Sequence, residues 1–292
     1  MDFPESSREI HNEPHNQFRN QIIVPVLPVL KDAALDLEGR VAVLTFKRDD
    51  MRNALSGTSL TDDICATLEW TNACADVSVL IITGAGAAFS AGGNVKAMRE
   101  RALSSTAAEM EDYYRRNIQR IPRAMQAAEV AVIAAVNGPA IGAGFDLANM
   151  CDIRIGSVNA QFGETFINLG LMAGDGGGWF LQRVVGAQRA TELTFTGRVV
   201  KAEEARVIGI LLEVTELDRL LPRAREIAAQ IAAKPPLAVR YAKRALRLAQ
   251  RQDLDEHLDT CASFQAALQK TEDHLEALAA FFEKRNGVFK GK

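Results

Sequence analysis

The chain has 292 residues, 48% hydrophobic and 24% charged, with a formal net charge of −3, the balance of an ordinary globular protein of one large domain or one domain with an appendage. That charge argues against nucleic acid as a partner, because phosphate binding needs a dense cationic face. No apolar run approaches ~18 residues, so no membrane span is expected. The start, Met1-Asp2-Phe3-Pro4-Glu5, has neither the basic region nor the apolar core of a secretion signal, and a cytoplasmic location is expected.

In chain order, residues 1–32 read as a polar, proline-punctuated extension with partial disorder. Ala34 to Phe46 alternates apolar and polar residues around Gly39 and predicts a hairpin. Asp49 to Ser56 is a loop, after which Thr58 or Ser59 caps a helix to about Ala73. A strand over 77–83 leads into a first glycine-rich turn, Gly84-Ala85-Gly86, which runs on to Phe89-Ser90-Ala91-Gly92-Gly93-Asn94. A helical stretch is expected over 106–127, then a strand over 130–136. This strand leads into a second turn, Asn137-Gly138 to Ile141-Gly142-Ala143-Gly144-Phe145-Asp146, which enters a short helix to Met150. Ile153-Arg154-Ile155 reads as a strand and Gln161 to Gly178 as a loop-rich segment. From about residue 217 the periodicity is helical to Arg285, broken at Pro235-Pro236 and at Gln252-Asp253, giving four helices. Strand–helix alternation followed by helices alone defines an α/β chain with a helical tail.

Each glycine-rich turn follows an apolar strand and precedes a helix-like stretch. Each therefore presents bare backbone N–H groups where negative charge is stabilised. Two such ends meeting in one pocket would hold an oxyanion. The histidines narrow the chemistry further. All four (His11, His15, His257, His274) lie near the ends, so Ser-His-Asp, Cys-His and histidine-rich metal sites in the body are not expected. Cys65, Cys74, Cys151 and Cys261 show no CxxC spacing and read as reduced thiols. Carboxylates and backbone must carry any catalysis. Gly138 to Gly144 has the spacing GxxxGxG rather than the GxGxxG of a dinucleotide turn.

Several segments together resemble the crotonase, or enoyl-CoA hydratase/isomerase, family. Phe89-Ser90-Ala91-Gly92-Gly93-Asn94-Val95-Lys96-Ala97-Met98 is similar to its FCAGADLKEM-type motif. Ala135-Val136-Asn137-Gly138-Pro139-Ala140-Ile141-Gly142-Ala143-Gly144-Phe145-Asp146-Leu147-Ala148 resembles its AVNGxAxGGGxELA motif, and Phe282 to Lys292 its usual ending. The resemblance runs in one register over about residues 33–292. It implies a repeated ββα spiral core over 33–216, a C-terminal helical oligomerisation region over 217–292, acyl-CoA thioester substrates and a homotrimer or a hexamer of two trimers. No metal or other cofactor is implied. The two family N–H donors fall on Gly93 and Ala143.

Family hydratases place two glutamates around one water. The first position carries Asp146 here and the second Phe166, which transfers no proton. Glu164, two residues earlier, would share the face of Phe166 on an extended segment. Asp175 lies one position after the catalytic acid of a dienoyl-CoA isomerase branch. The candidate acids are therefore Asp146, Asp175 and Glu164. A serving carboxyl should be raised in pKa by apolar surroundings, for which Phe162, Phe166, Trp179 and Phe180 are candidates. Arg52, Ala91, Asn94, Val95, Lys96, Phe166 and Lys290 are candidate substrate contacts. An enoyl-CoA hydratase is the first expectation, an enoyl- or dienoyl-CoA isomerase the second, and a non-catalytic binding protein the third.

Overall fold

The computed structural model describes residues 26–292. Most of the expected N-terminal extension, residues 1–25, lies outside the described residues. The strands in chain order are β1 (Ala33–Glu38), β2 (Val41–Phe46), β3 (Val79–Gly84), β4 (Ala131–Val136), β5 (Pro139–Ile141), β6 (Ile153–Ser157), β7 (Gln161–Gly163), β8 (Val199–Lys201) and β9 (Glu213–Thr215). Six of them form one sheet in the order β1-β2-β3-β4-β6-β9, and β5-β7-β8 form a second, smaller one. The β1–β2 pair is the expected antiparallel hairpin, while β2, β3, β4, β6 and β9 run parallel; in the smaller sheet β5 and β7 are parallel and β7 and β8 antiparallel.

Side chains alternate across each strand, so the near-continuous apolar runs of β3 and β4 feed two cores. Leu80, Ile82, Val132 and Ala134 face a core with Leu60, Ile64 and Leu68 of helix α1 (Leu60–Ala73). Val79, Ile81, Ala131 and Ile133 face the other core, closed by Leu220, Ala224, Ile227 and Ala228. These last four belong to helix α9 (Leu217–Ala232), the first of the four C-terminal helices. That helix packs directly on the sheet.

Between the two sheets' strands lie α2 (Val95–Ser104), α3 (Ala107–Tyr113), α4 (Arg120–Ala127), α5 (Ala143–Met150), α6 (Gly177–Val185), α7 (Ala187–Thr196) and α8 (Ala202–Val207). The helical stretch expected over 106–127 is three pieces. Thr106 and Glu109 close a capping box on α3, a π-helical turn spans Tyr114–Ile118, and α4 follows. The expected loop at 161–178 is more regular than its glycines suggest: β7, a 3₁₀ turn over Thr165–Leu169 and the start of α6. After α9 come α10 (Pro236–Leu248), α11 (Leu254–Leu268) and α12 (Glu272–Glu283). The breaks fall at the predicted prolines and at Asp253, whose side chain accepts the Glu256 N–H, with a further one at Thr271. Lys243 of α10 fastens this tail to the sheet. Its ammonium donates to Asp152 Oδ2 at 2.6 Å and to the Val130 carbonyl at 2.5 Å.

Candidate active site

The two glycine-rich turns meet. The N–H groups of Phe89 and Ser90 donate to the Pro139 carbonyl, and Ile141 donates to the Ser90 carbonyl at 3.0 Å. The approach is too close for side chains. A Cβ on Gly92, whose φ is +77°, would lie 2.3 Å from the Ile141 carbonyl oxygen and 3.0 Å from the Ala143 nitrogen. A Cβ on Gly144 would lie 2.3 Å from the Ser90 carbonyl oxygen.

This packing assigns most donors of the first turn. Ala91 N–H goes to the Arg52 carbonyl, Gly92 N–H to Ser90 Oγ and Asn94 N–H to Ser56 Oγ. Among the described residues, Gly93 N–H has no acceptor. In the second turn Ile141 and Gly142 donate to the carbonyls of Ser90 and Gly163, and Phe145 and Asp146 both donate to the Gly142 carbonyl. Ala143 N–H, at the first position of α5, has no acceptor among the described residues. Ser90 is spent on structure, since its hydroxyl donates to the Asn53 carbonyl and accepts from Gly92.

One helical step from Ala143, Asp146 is wholly buried, and the fold brings Glu164 (1% exposed) and Asp175 (6%) to it. Glu164 directly follows β7, before the 3₁₀ turn, and Asp175 sits in the turn before α6. Gly177 permits the approach of α6, because a Cβ there would lie 2.3 Å from Asp146 Oδ1. Both oxygens of Asp146, both of Glu164 and Oδ1 of Asp175 receive no hydrogen bond from a protein donor. Burial raises the Asp146 pKa well above the ordinary carboxylate range, and the charges of Asp175 and Glu164 add to the rise. Burial pushes Glu164 up to about 7, and the charge of Asp175 adds to the rise. Burial also raises Asp175, against the pull of Asp146 and of backbone N–H groups. All three acids are thus shifted in one direction, toward holding a proton at higher pH than an ordinary carboxylate.

One expectation fails here. Glu164 and Phe166 do not share a face of an extended segment, because the 3₁₀ turn starts at Thr165 and ends the strand alternation. Glu164 turns into the core, while the half-buried Phe166 ring covers Gly142, 3.5 Å from where a Cβ would stand. Nor do all the expected aromatics surround the acids. Phe180 packs at Gly176 beside Asp175. Phe162 pairs with Phe145 in the core. Trp179 lies beneath the Arg183 guanidinium, 3.7 Å from it, among residues that face α10.

Of the candidate substrate contacts, Arg52 is exposed at φ +50° and its carbonyl holds Ala91. Asn94 caps α2 by accepting from Lys96 and Ala97, and Val95 and Lys96 stand exposed on the first turn of α2. Ala91 is half-buried. Lys290 is elsewhere in the protomer: its N–H donates to Asp273 at the start of α12.

Two neighbours of the site escaped sequence reasoning. The Met98 methyl lies over Gly93, so close that a Cβ there would clash with it. The Tyr114 ring packs on Gly174, again where a Cβ would clash, and Gln119 donates to the Gly174 carbonyl at 3.1 Å. Nothing in the local sequence marks the π-helical turn that aims Tyr114 there.

The architecture and the paired turns are matched by known proteins. The family model described as enoyl-CoA hydratase/isomerase matches residues 36–292. A short-chain-enoyl-CoA hydratase of Clostridium acetobutylicum is 37% identical over 261 residues, covering 88% of this chain and 96% of the relative. A crotonyl-CoA hydratase of Syntrophomonas wolfei is 36% identical over 259 residues, covering 88% and 97%. The crystal structure of an enoyl-CoA hydratase from Bacillus anthracis superposes with a TM-score of 0.82 at 34% identity, covering 90% of this chain and all of that one. The chain belongs to the enoyl-CoA hydratase/isomerase family, and its fold is the crotonase fold. No helix among the described residues is long and apolar enough to cross a membrane.

Proposed function

We propose that the protein is an enoyl-CoA hydratase, adding water across the double bond of a 2-enoyl-CoA thioester. The observation that carries this is the buried carboxyl trio one helical step from the unpaired Ala143 N–H. The thioester oxygen sits between the N–H groups of Gly93 and Ala143, which stabilise the enolate charge as water adds at C3. One such donor is worth ~3–4 kcal/mol of barrier. Asp146, with Glu164 or Asp175, holds the water. One carboxylate takes its proton and a protonated neighbour delivers a proton to C2. The raised pKa of Glu164, about 7, supports that division, since this group is then present in both forms near neutral pH. No cofactor is needed beyond the CoA carried by the substrate.

Arg52 and Lys96, exposed at the mouth of the first turn, are placed to meet CoA phosphates. Residues 33–216 form the site-bearing unit and 217–292 the oligomerisation region. Exposed apolar side chains on α11 and α12, among them Leu254, Leu258, Leu275, Phe281 and Phe282, favour a homotrimer or a dimer of trimers. In such an assembly Lys290 reaches a site only across a subunit boundary. Four free thiols fit a reducing cytoplasm.

The test is incubation with crotonyl-CoA, following loss of the conjugated thioester absorbance. Hydration that disappears in Asp146→Asn supports the reading. No hydration, with conversion of a 3-enoyl-CoA instead, establishes the isomerase.

A further inference from the structure

Behind the catalytic helix α5 lies a second cavity, of about 630 Å³, between α5, α6, α9 and α10. That size is in the range that holds a small organic ligand, ~300–1,000 Å³. Its walls are mostly apolar, with Met150, Phe180, Val184, Ile231, Val239 and Leu246 among them. Two observations say what it takes.

The first is Asn149, which lines it. This side chain is 4% exposed, yet neither its amide nitrogen nor its carbonyl oxygen has a hydrogen-bond partner. A buried amide left so is destabilising, and a polar ligand atom would satisfy it. The second is charge. Arg154, Arg183, Lys234, Lys243 and Arg247 line the cavity against one acid, Asp152. Lys243 and Arg247 already claim that acid, at 2.6 and 3.7 Å. Lys234 has no ion-pair partner among the described residues. Burial pulls the pKa values of Lys243 and Arg247 down, with the Asp152 charge opposing the fall.

We propose that this cavity binds an amphipathic carboxylate, a medium-chain fatty acid anion, with its chain along the apolar wall and its head toward Asn149 and the Lys234 rim. The site is separate from the oxyanion turns and does not depend on which reaction they catalyse.

Calorimetric titration of the full-length protein with decanoate tests it. One saturable site per chain is expected, with decanol binding at least about tenfold weaker. Asn149→Leu, which removes unpaired polar atoms and should fold well, and Lys234→Glu, a surface change, should each weaken decanoate about tenfold. Crotonyl-CoA should not displace it, and turnover in both variants should match the parent. Absence of saturable binding overturns the proposal. So does decanoate affinity unchanged from the parent in both variants, or displacement by crotonyl-CoA, which would place decanoate in the catalytic site. Binding that appears only when the oligomer dissociates would assign the cavity to a second copy of this chain and overturn it too.

Discussion

Asp146 is an acid with no protein donor, no solvent and two other acids beside it. Such a group is costly to keep, and that cost is the ground on which we propose it for the chemistry. Asp146→Asn keeps the shape and removes the proton; hydration of crotonyl-CoA should fall ~10²–10⁴-fold with the fold intact by circular dichroism. Glu164 supplies a pH signature. Its folded pKa of about 7 lies above the unfolded value of 4.5, so between these the folded state binds the extra proton. Stability is therefore lost as pH rises through that window. Glu164→Gln should raise the melting temperature at pH 8 and leave it unchanged at pH 4. If Glu164 acts as the base, the acid limb of kcat/KM lies near pH 7 and Glu164→Gln abolishes it.

These residues were legible to different degrees. Asp146, Gly93 and Ala143 follow from motifs whose spacing is itself the structure. Glu164 could be named, but its direction could not, because the change from strand to 3₁₀ turn at Thr165 has no strong local signal. Phe166 was visible as a departure from the family's second glutamate; its place over Gly142 was not.

At the scale of elements, the contact between the two turns is backbone against backbone and has no slack. Gly144→Ala must push Ser90 away from α5. It should cost ~1–3 kcal/mol in urea unfolding and lower activity together. Gly178→Ala, in α6 with open space where the methyl would go, should be neutral or stabilise by up to ~1 kcal/mol. β1 to β4, β6 and the C-terminal helices were readable from periodicity, since period-2 runs and proline breaks are local signals; the three-residue strands β5, β7, β8 and β9 are too short to show a period. That α9 packs on β2 to β6 rather than outside them was not, because its apolar stripe fits any apolar partner. Its pairing depends on which sheet face the other helices leave open.

For the whole molecule, the Lys243–Asp152 contact is the strut between the helical tail and the sheet. Asp152 also accepts the Val132 N–H at 2.7 Å, so one carboxylate serves both β4 and α10. Asp152→Ala strands a buried ammonium and should cost ~2–4 kcal/mol by denaturant midpoint, with Lys243→Met in the same chain restoring part of it. The exposed apolar faces of α11 and α12 belong to this scale as well. Phe281→Glu with Phe282→Glu should shift the mass in light scattering toward the monomer, while a monomeric parent would remove the trimer from the reading.

The turn at Tyr114–Ile118 holds one residue more than an α-helical turn would need. Deleting a single residue there, such as Asn117, would remove the wide turn and swing the preceding ring by about 100° around the axis relative to α4, while Pro122, in the first turn of α4, still keeps α3 and α4 from joining as one regular helix. The acids, the strands and the amide pair would stay where they are, yet the wall at Gly174 would lose its tyrosine. Insertions and deletions, usually read as damage inside a helix, thus become at this point a means of reshaping the wall beside Asp175 in one genetic step.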